Sequence, residues 1–208
     1  MSKTAYFYVF DTMADWEAAF LLPELHSGRY FRKEAQKYAV KTVGLSKDPV
    51  LTMGGVRVWP DLSLEDCSLE KAGVLILPGG NTWLEAIHTP ILKKTEEFLN
   101  AGILVAAICG ATIALAQAGY LNNRYHTSNS LDYLKLTCAN YSGELYYQPG
   151  PAVADGNLIT ASGIAPLEFS FEVLKKLDVF TPVKLDAWYK LYNTQDAKYY
   201  YALMEAAD

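Results

Sequence analysis

Leu104-Val105-Ala106-Ala107-Ile108-Cys109-Gly110-Ala111-Thr112 is an apolar run that meets one cysteine and then takes on a helix pattern. Residues 103 to 108 are aliphatic and have the length of a buried strand, whereas residues 111 to 118 carry the alanine and leucine of a helix that stops at Gly119. No connecting loop is left between them. A strand passing straight into a helix forces its junction residue into a strained turn that presents the side chain, the logic of a nucleophile elbow. Cys109 is that residue, and Ala107, Gly110 and Ala111 keep bulk away from the turn. Two plainer readings compete. Residues 103 to 121 have the ~20 residues of a membrane-spanning helix, although Gly102, Gly110 and Gly119 punctuate them as a βα unit would. Cys109 could equally be a small buried hydrophobe, and spacing alone leaves that choice open.

The chain has 208 residues, 51% hydrophobic and 20% charged, enough for one α/β domain with a proper core. A net charge of −5 and a pI near 5.2, with no basic cluster beyond paired lysines, argue against nucleic acid or an anionic membrane as partner. Only six apolar residues run together before Asp11, too few for a signal-peptide core. Three cysteines, at 67, 109 and 138, form no metal-like pairs and cannot all be bridged, so a reducing, cytoplasmic setting is expected.

Read outward from the elbow, the chain alternates strands with helices. Residues 5 to 10 form an apolar strand, and Asp11-Thr12 offer caps for a helix carrying Trp16, Ala19, Phe20 and Leu22 that Pro23 should end or kink. Residues 39 to 45 predict a second strand, and Gly54-Gly55 predicts a hairpin outside the main sheet. Val74 to Leu77 is the continuous aliphatic run of a strand covered on both faces, halted by Pro78-Gly79-Gly80. Helices are predicted over 90–101, 129–137 and 166–177, with a hairpin around Asp155-Gly156. This alternation predicts a mostly parallel α/β sheet whose sites lie beyond the C-terminal strand ends. Residues 181 to 208 are helical and aromatic in pattern, a packing or dimer-contact extension without chemistry of its own.

With Pro78-Gly79-Gly80 after a strand, Ala106-Ala107-Ile108-Cys109-Gly110, and Gly119-Tyr120-Leu121 leading to His126-Thr127, the sequence resembles the ThiJ/PfpI family of the class I glutamine amidotransferase-like superfamily. The likeness covers residues 4 to 178 and divides the chain into a domain at 1–180 and an extension at 181–208 packed on it. It implies a flavodoxin-like three-layer sandwich, commonly a homodimer, and a reactive Cys109 paired with a glutamate from the first strand–helix junction, which Asp15-Trp16-Glu17 supplies as Glu17. By the geometry the superfamily shares, the amides of Gly80 and Gly110 would hold an oxyanion. Members regarded as intracellular proteases or amidases place histidine directly after the nucleophile, where this chain has Gly110. His126 matches the histidine that other branches hold near the cysteine, and would serve as base, acid or charge partner.

A thiol with a pKa of about 8.5 needs that value lowered to work at neutral pH. The dipole of the following helix supplies only ~0.3 to 2 kcal/mol. The favoured neutral-pH state pairs a Cys109 thiolate with a protonated Glu17, since two adjacent anions would repel. An exposed carboxylate at a helix start is the plainer alternative for Glu17. Cys67 and Cys138 read as core thiols, His26 and His88 as structural, and Asn81, Thr82 and Trp83 as possible pocket walls. No metal spacing or phosphate loop is present, so no metal and no cofactor is expected. The resulting expectation is a cysteine hydrolase or aldehyde-processing enzyme acting on a peptide or small carbonyl compound. A non-enzymatic oxidant sensor or chaperone-like protein is the alternative, and a dimer module with a vestigial site is a third.

Overall fold

A computed structural model describes residues 2–206. In chain order the elements are β1 (Lys3–Tyr8), α1 (Leu21–Ser27), β2 (Tyr38–Gly44), β3 (Val50–Leu51), β4 (Arg57–Val58), β5 (Leu62–Ser63), β6 (Ala72–Leu77), α2 (Thr89–Asn100), β7 (Leu104–Ile108) and α3 (Gly110–Gln117). There follow α4 (Leu131–Thr137), β8 (Ala152–Asp155), β9 (Leu158–Ala161), α5 (Pro166–Lys176), α6 (Pro182–Thr194) and α7 (Lys198–Glu205). Seven strands form one sheet in the order β5-β2-β1-β6-β7-β9-β8, parallel except at β8, with helices on both faces. This is the α/β sandwich that the alternating pattern predicts.

The aliphatic run at 104–108 is continuous because β7 sits mid-sheet, paired with β6 from Val74↔Leu104 to Leu77↔Ala107 and with β9 from Val105↔Leu158 to Ile108↔Ala161. Every residue of β7 is buried, as a strand covered on both faces requires. Parallel pairing brings the C-terminal ends of β1, β6, β7 and β9 to one edge. From that edge emerge the segments holding Glu17, Pro78-Gly79-Gly80, Cys109 and Gly163. Residues 103 to 121 are therefore strand, turn and helix, and no helix among the described residues is long and apolar enough to cross a membrane.

The first helix departs from expectation. It begins at Leu21, and Asp11 and Thr12 cap no helix. Asp11 Oδ1 accepts the Leu51 amide at 2.7 Å, and Thr12 Oγ1 accepts that of Asn81 at 3.0 Å. Pro23 lies in the first turn of α1, where its missing N–H costs nothing, so it helps start the helix and does not end it. The β3–β4 hairpin, separate from the main sheet as Gly54-Gly55 predicts, straps the 11–15 segment down. Besides the Asp11 bond, Thr12 N–H donates to Leu51 O (2.8 Å), Met53 N–H to Met13 O (2.9 Å) and Gly54 N–H to Asp15 Oδ2 (2.7 Å). That strap holds the approach to Glu17.

The C-terminal helices pack on the sheet domain through α5 and α1. Trp188 of α6 is fully buried, and its indole N–H donates to Glu24 Oε1 of α1 at 3.1 Å. Glu24 is itself buried and takes a two-pronged contact from Arg29. Glu24→Ala should cost about 2–4 kcal/mol, because a buried indole donor is orphaned and an ion pair lost. Glu24→Gln, which keeps an acceptor for the indole, should cost less than half as much. Urea unfolding of both variants checks this, and equal losses would refute the indole contact as the anchor of α6.

Candidate active site

Cys109 stands at the strand–helix junction with φ 58° and ψ −123°, a backbone state that costs a non-glycine residue of order 1–3 kcal/mol and persists only under constraint. The constraint is visible. Its N–H donates to Ala161 O at 3.0 Å, and its carbonyl accepts the Thr112 amide at 3.0 Å and the Thr112 hydroxyl at 2.6 Å. Sγ is half-buried.

Glu17 is fully buried. Its Oε2 accepts the Gly79 amide in a short hydrogen bond, while Oε1, also buried, has no fixed donor and faces the sulfur. A methyl group on Gly163 would lie 2.6 Å from Cys109 Sγ and 3.3 Å from Glu17 Oε1, so both atoms border one small space. One on Gly79 would lie 2.7 Å from Cys109 Cβ and from both Glu17 oxygens. Glycine at 79 and 163 is what lets carboxyl and sulfur meet. At Gly110 the added carbon would come within 2.8 Å of Gly80 O, so the elbow packs directly on the Pro-Gly-Gly turn.

Burial raises the Glu17 carboxyl to about 7, against the lowering pull of the Gly79 amide and of Cys109. Burial also pushes the Cys109 thiol up, and the facing Glu17 adds to that, while donors from Asn129 and Gly110 oppose it. Removal from water and the donors thus act on the thiol in opposite directions. Because the two groups face each other, the charge belongs to the pair, with one proton leaving near neutrality and the second held back by the anion already present.

The other expected residues fall as follows. The Gly80 amide has no acceptor among the described residues and lies beside Gly110, whose own N–H points to the sulfur. His126 is not among the sulfur's partners. It is fully buried, with Nδ1 donating to Arg124 O at 2.7 Å and Nε2 accepting the Tyr141 hydroxyl at 2.9 Å. Both ring nitrogens are spent on holding the loop, so a proton-transfer role next to Cys109 has no geometry behind it. The side chain from this loop that does reach Sγ is Asn129, at 3.4 Å, which the sequence pattern did not single out. Its only local signal is its place in Ser128-Asn129-Ser130, ahead of α4 with Ser130 as cap. Gly163 was missed too, although a glycine just past a parallel strand end is a recognisable signal.

The remaining candidates are structural in setting. His88 is buried between the Tyr8 hydroxyl and the Thr82 hydroxyl, each at 2.9 Å, and burial pushes it down to about 4. Trp83 is buried, donating from Nε1 to Pro78 O at 2.8 Å, and so braces the Pro-Gly-Gly turn. Cys67 and Cys138 are buried free thiols. Among the described residues no group of three His, Cys, Asp or Glu side chains could hold a metal ion.

Two outcomes follow from this geometry. Gly163→Ala should slow iodoacetamide alkylation of Cys109 at least about tenfold, with a loss of about 1–3 kcal/mol from overpacking. Gly150→Ala, where an added methyl meets nothing within 4 Å, is the control. Equal alkylation rates would refute the contact. With Glu17 raised from 4.5 to about 7, the folded Cys109–Glu17 pair keeps both protons up to neutrality while the unfolded carboxyl has lost its own above 4.5, so stability falls as pH rises from 4.5 through 7 whichever member of the pair then ionises. Glu17→Gln removes that term. The variant should match the wild type at pH 4 and exceed it by up to roughly 3 kcal/mol at pH 8. A pH-independent difference in denaturant unfolding would contradict the assignment.

Known proteins share this framework. The family model described as DJ-1/PfpI matches residues 3–176. The chain is 56% identical over 203 residues to "Uncharacterized protease YoaZ" of Bacillus subtilis, covering 98% of this chain and 97% of that one. A solved ThiJ/PfpI family protein from Bacillus anthracis superposes with a TM-score of 0.95 at 56% identity, over 98% of this chain and 96% of that one. A more distant relative, 27% identical over 65% of this chain and 71% of its own length, is the "Glutathione-independent glyoxalase DJR-1.2" of Caenorhabditis elegans. The chain belongs to the DJ-1/PfpI family.

Proposed function

We propose that this chain is a cofactor-independent cysteine enzyme for small carbonyl compounds, with 2-oxoaldehydes as the substrate class. The observation that carries the proposal is the buried Glu17 carboxyl facing Cys109 with an unpartnered Oε1 and a pKa near neutrality, the property of a group that gives and takes protons at pH 7.

In the proposed reaction the Cys109 thiolate adds to the aldehyde carbon. The alkoxide of the resulting hemithioacetal lies toward the open amide of Gly80, with the Gly110 amide as second donor, and is protonated by Glu17. The Glu17 carboxylate then removes the hydrogen from that carbon as a proton and the ketone oxygen takes up a proton, giving an enediol; a proton returns to the neighbouring carbon as the first hydroxyl loses its own and becomes the thioester carbonyl. The product is the cysteine thioester of a 2-hydroxy acid. Water hydrolyses the thioester, releasing the acid and regenerating the thiolate. One carbon is oxidised as its neighbour is reduced, so no external electron carrier is consumed.

A second reading, peptide or amide hydrolysis, is favoured by the name of the relative at 56% identity. Against it stands the need to protonate a leaving amine, for which His126 is not placed. We also propose a homodimer in a reducing cytoplasmic compartment. Three unpaired thiols support the compartment, and exposed apolar side chains such as Leu51, Val56 and Trp59 support the dimer.

The test is turnover of methylglyoxal beside fluorogenic peptides. Wild type should form lactate from methylglyoxal, Cys109→Ser should form none, and Glu17→Gln should lose about 10²–10⁴-fold. Cysteine-dependent cleavage of peptides alone would overturn the aldehyde reading in favour of the protease. Inactivity on both, with rapid oxidation of Cys109 to a stable sulfinate, would replace it with an oxidant sensor.

A further inference from the structure

Asn129 has a fixed orientation, and that orientation bears on the charge state of the sulfur. Its Oδ1 accepts the backbone N–H of Gly163 at 2.8 Å and lies 3.5 Å from the Ser162 hydroxyl. A backbone amide can only donate, so the atom it meets is the side-chain oxygen, and the atom turned toward Cys109 is the NH₂ group. Nδ2 stands 3.4 Å from Sγ. Sulfur is therefore the acceptor in this contact, which is weak for a thiol and strong for a thiolate.

The segment presenting Asn129 is fastened on both sides. Thr127 N–H donates to Thr160 Oγ1 at 2.9 Å, and Thr127 Oγ1 donates to Gly150 O at 2.9 Å. Thr112 spends its hydroxyl proton on Cys109 O, so the 2.7 Å contact between Ser128 and Thr112 has Ser128 as donor. The Ser128 bond ties the loop to the first turn of α3 itself. Asn129 thus reaches the sulfur from a support fixed to β9 on one side and to the elbow on the other.

We propose that Asn129 is a catalytic residue that decides where the single proton of the Cys109–Glu17 pair resides, holding it on Glu17 and the negative charge on Sγ. Without Asn129, the Gly79 amide on Glu17 Oε2 favours charge on the carboxylate. With it, sulfur has donors in both Asn129 and the Gly110 amide, and a proton on Glu17 Oε1 gives that otherwise unpartnered oxygen an acceptor in the thiolate. Of the groups that act on Sγ, Glu17 is the one that ionises, the others being the Asn129 amide and the Gly110 N–H. Because an amide does not titrate, the pH dependence of Cys109 reactivity should carry no histidine limb. The proposal rests on Cys109 being the nucleophile of the reaction proposed above, but concerns its ionisation and is tested without turnover.

The experiment follows the rate of Cys109 alkylation by iodoacetamide against pH in the full chain, site-resolved by peptide mass spectrometry, for wild type, Asn129→Ala and Asn129→Asp. In Asn129→Ala the rate at pH 7 should fall about tenfold through an upward move of the midpoint by about one pH unit, with the plateau at high pH unchanged. In Asn129→Asp one oxygen keeps the Gly163 and Ser162 contacts and the other turns a negative charge on sulfur, so the midpoint should move further up. A structural role alone would alter the plateau rate or the melting temperature and leave the midpoint in place. Coincident midpoints in the three proteins would overturn the proposal, as would an Asn129→Asp midpoint below that of Asn129→Ala. Loss of methylglyoxal turnover with wild-type midpoints would overturn it as well, and absence of turnover in wild type with shifted midpoints would overturn only the reaction assigned above.

Discussion

A carboxyl and a thiol enclosed together can hold one negative charge between them at neutral pH and resist a second. Much of the architecture around Cys109 follows from keeping Glu17 and that sulfur in contact. Burial alone would neutralise both groups. The Gly79 amide on one side, and the Gly110 amide with Asn129 on the other, are the donors that let one of them ionise. The close approach leaves no room for a Cβ at 79 or 163, and the elbow at Gly110 packs directly on the Gly80 carbonyl. Backbone strain at Cys109 belongs to the same arrangement, since a relaxed junction would turn the side chain away from the carboxyl.

The sheet supplies the rigidity. Four parallel strands end at one edge, and each delivers one part: β1 leads to Glu17, β6 to the glycine turn, β7 to Cys109 and β9 to Gly163. Two elements outside this core act as clamps. The β3–β4 hairpin binds the 11–15 segment through backbone and aspartate contacts, and the loop before α4 binds Asn129 between β9 and α3. His126 is part of the second clamp. Its ring joins the Arg124 carbonyl to the Tyr141 hydroxyl, and burial pulls its pKa down, so it works as a neutral strut.

The elbow and the glycine turn were legible in the sequence because their signals are local. An aliphatic run that becomes a helix without a loop, and a glycine pair that stops a strand, are each contained in about ten residues. The start of α1 was not legible, because the polar groups of Asp11 and Thr12 are drawn off by Leu51 and Asn81, both distant in sequence. His126 and Asn129 illustrate the same limit more sharply. They are three residues apart in one loop, and only the loop's anchoring to Thr160, Gly150 and Thr112 determines which side chain meets the sulfur. A histidine attracts attention by its pKa, whereas an asparagine carries no such mark. The upward push on Cys109 was likewise hidden, since helix position is local but burial is the product of the whole fold.

The most direct measurement of a shared proton is infrared difference spectroscopy of the protein with isotope-labelled glutamate, wild type against Glu17→Gln, at a pH just above neutrality where the pair has lost one proton. A carboxylic acid band assigned to Glu17, accompanied by thiolate absorbance that vanishes in Cys109→Ser, is the predicted result. A carboxylate band for Glu17 with Cys109 still a thiol would contradict it.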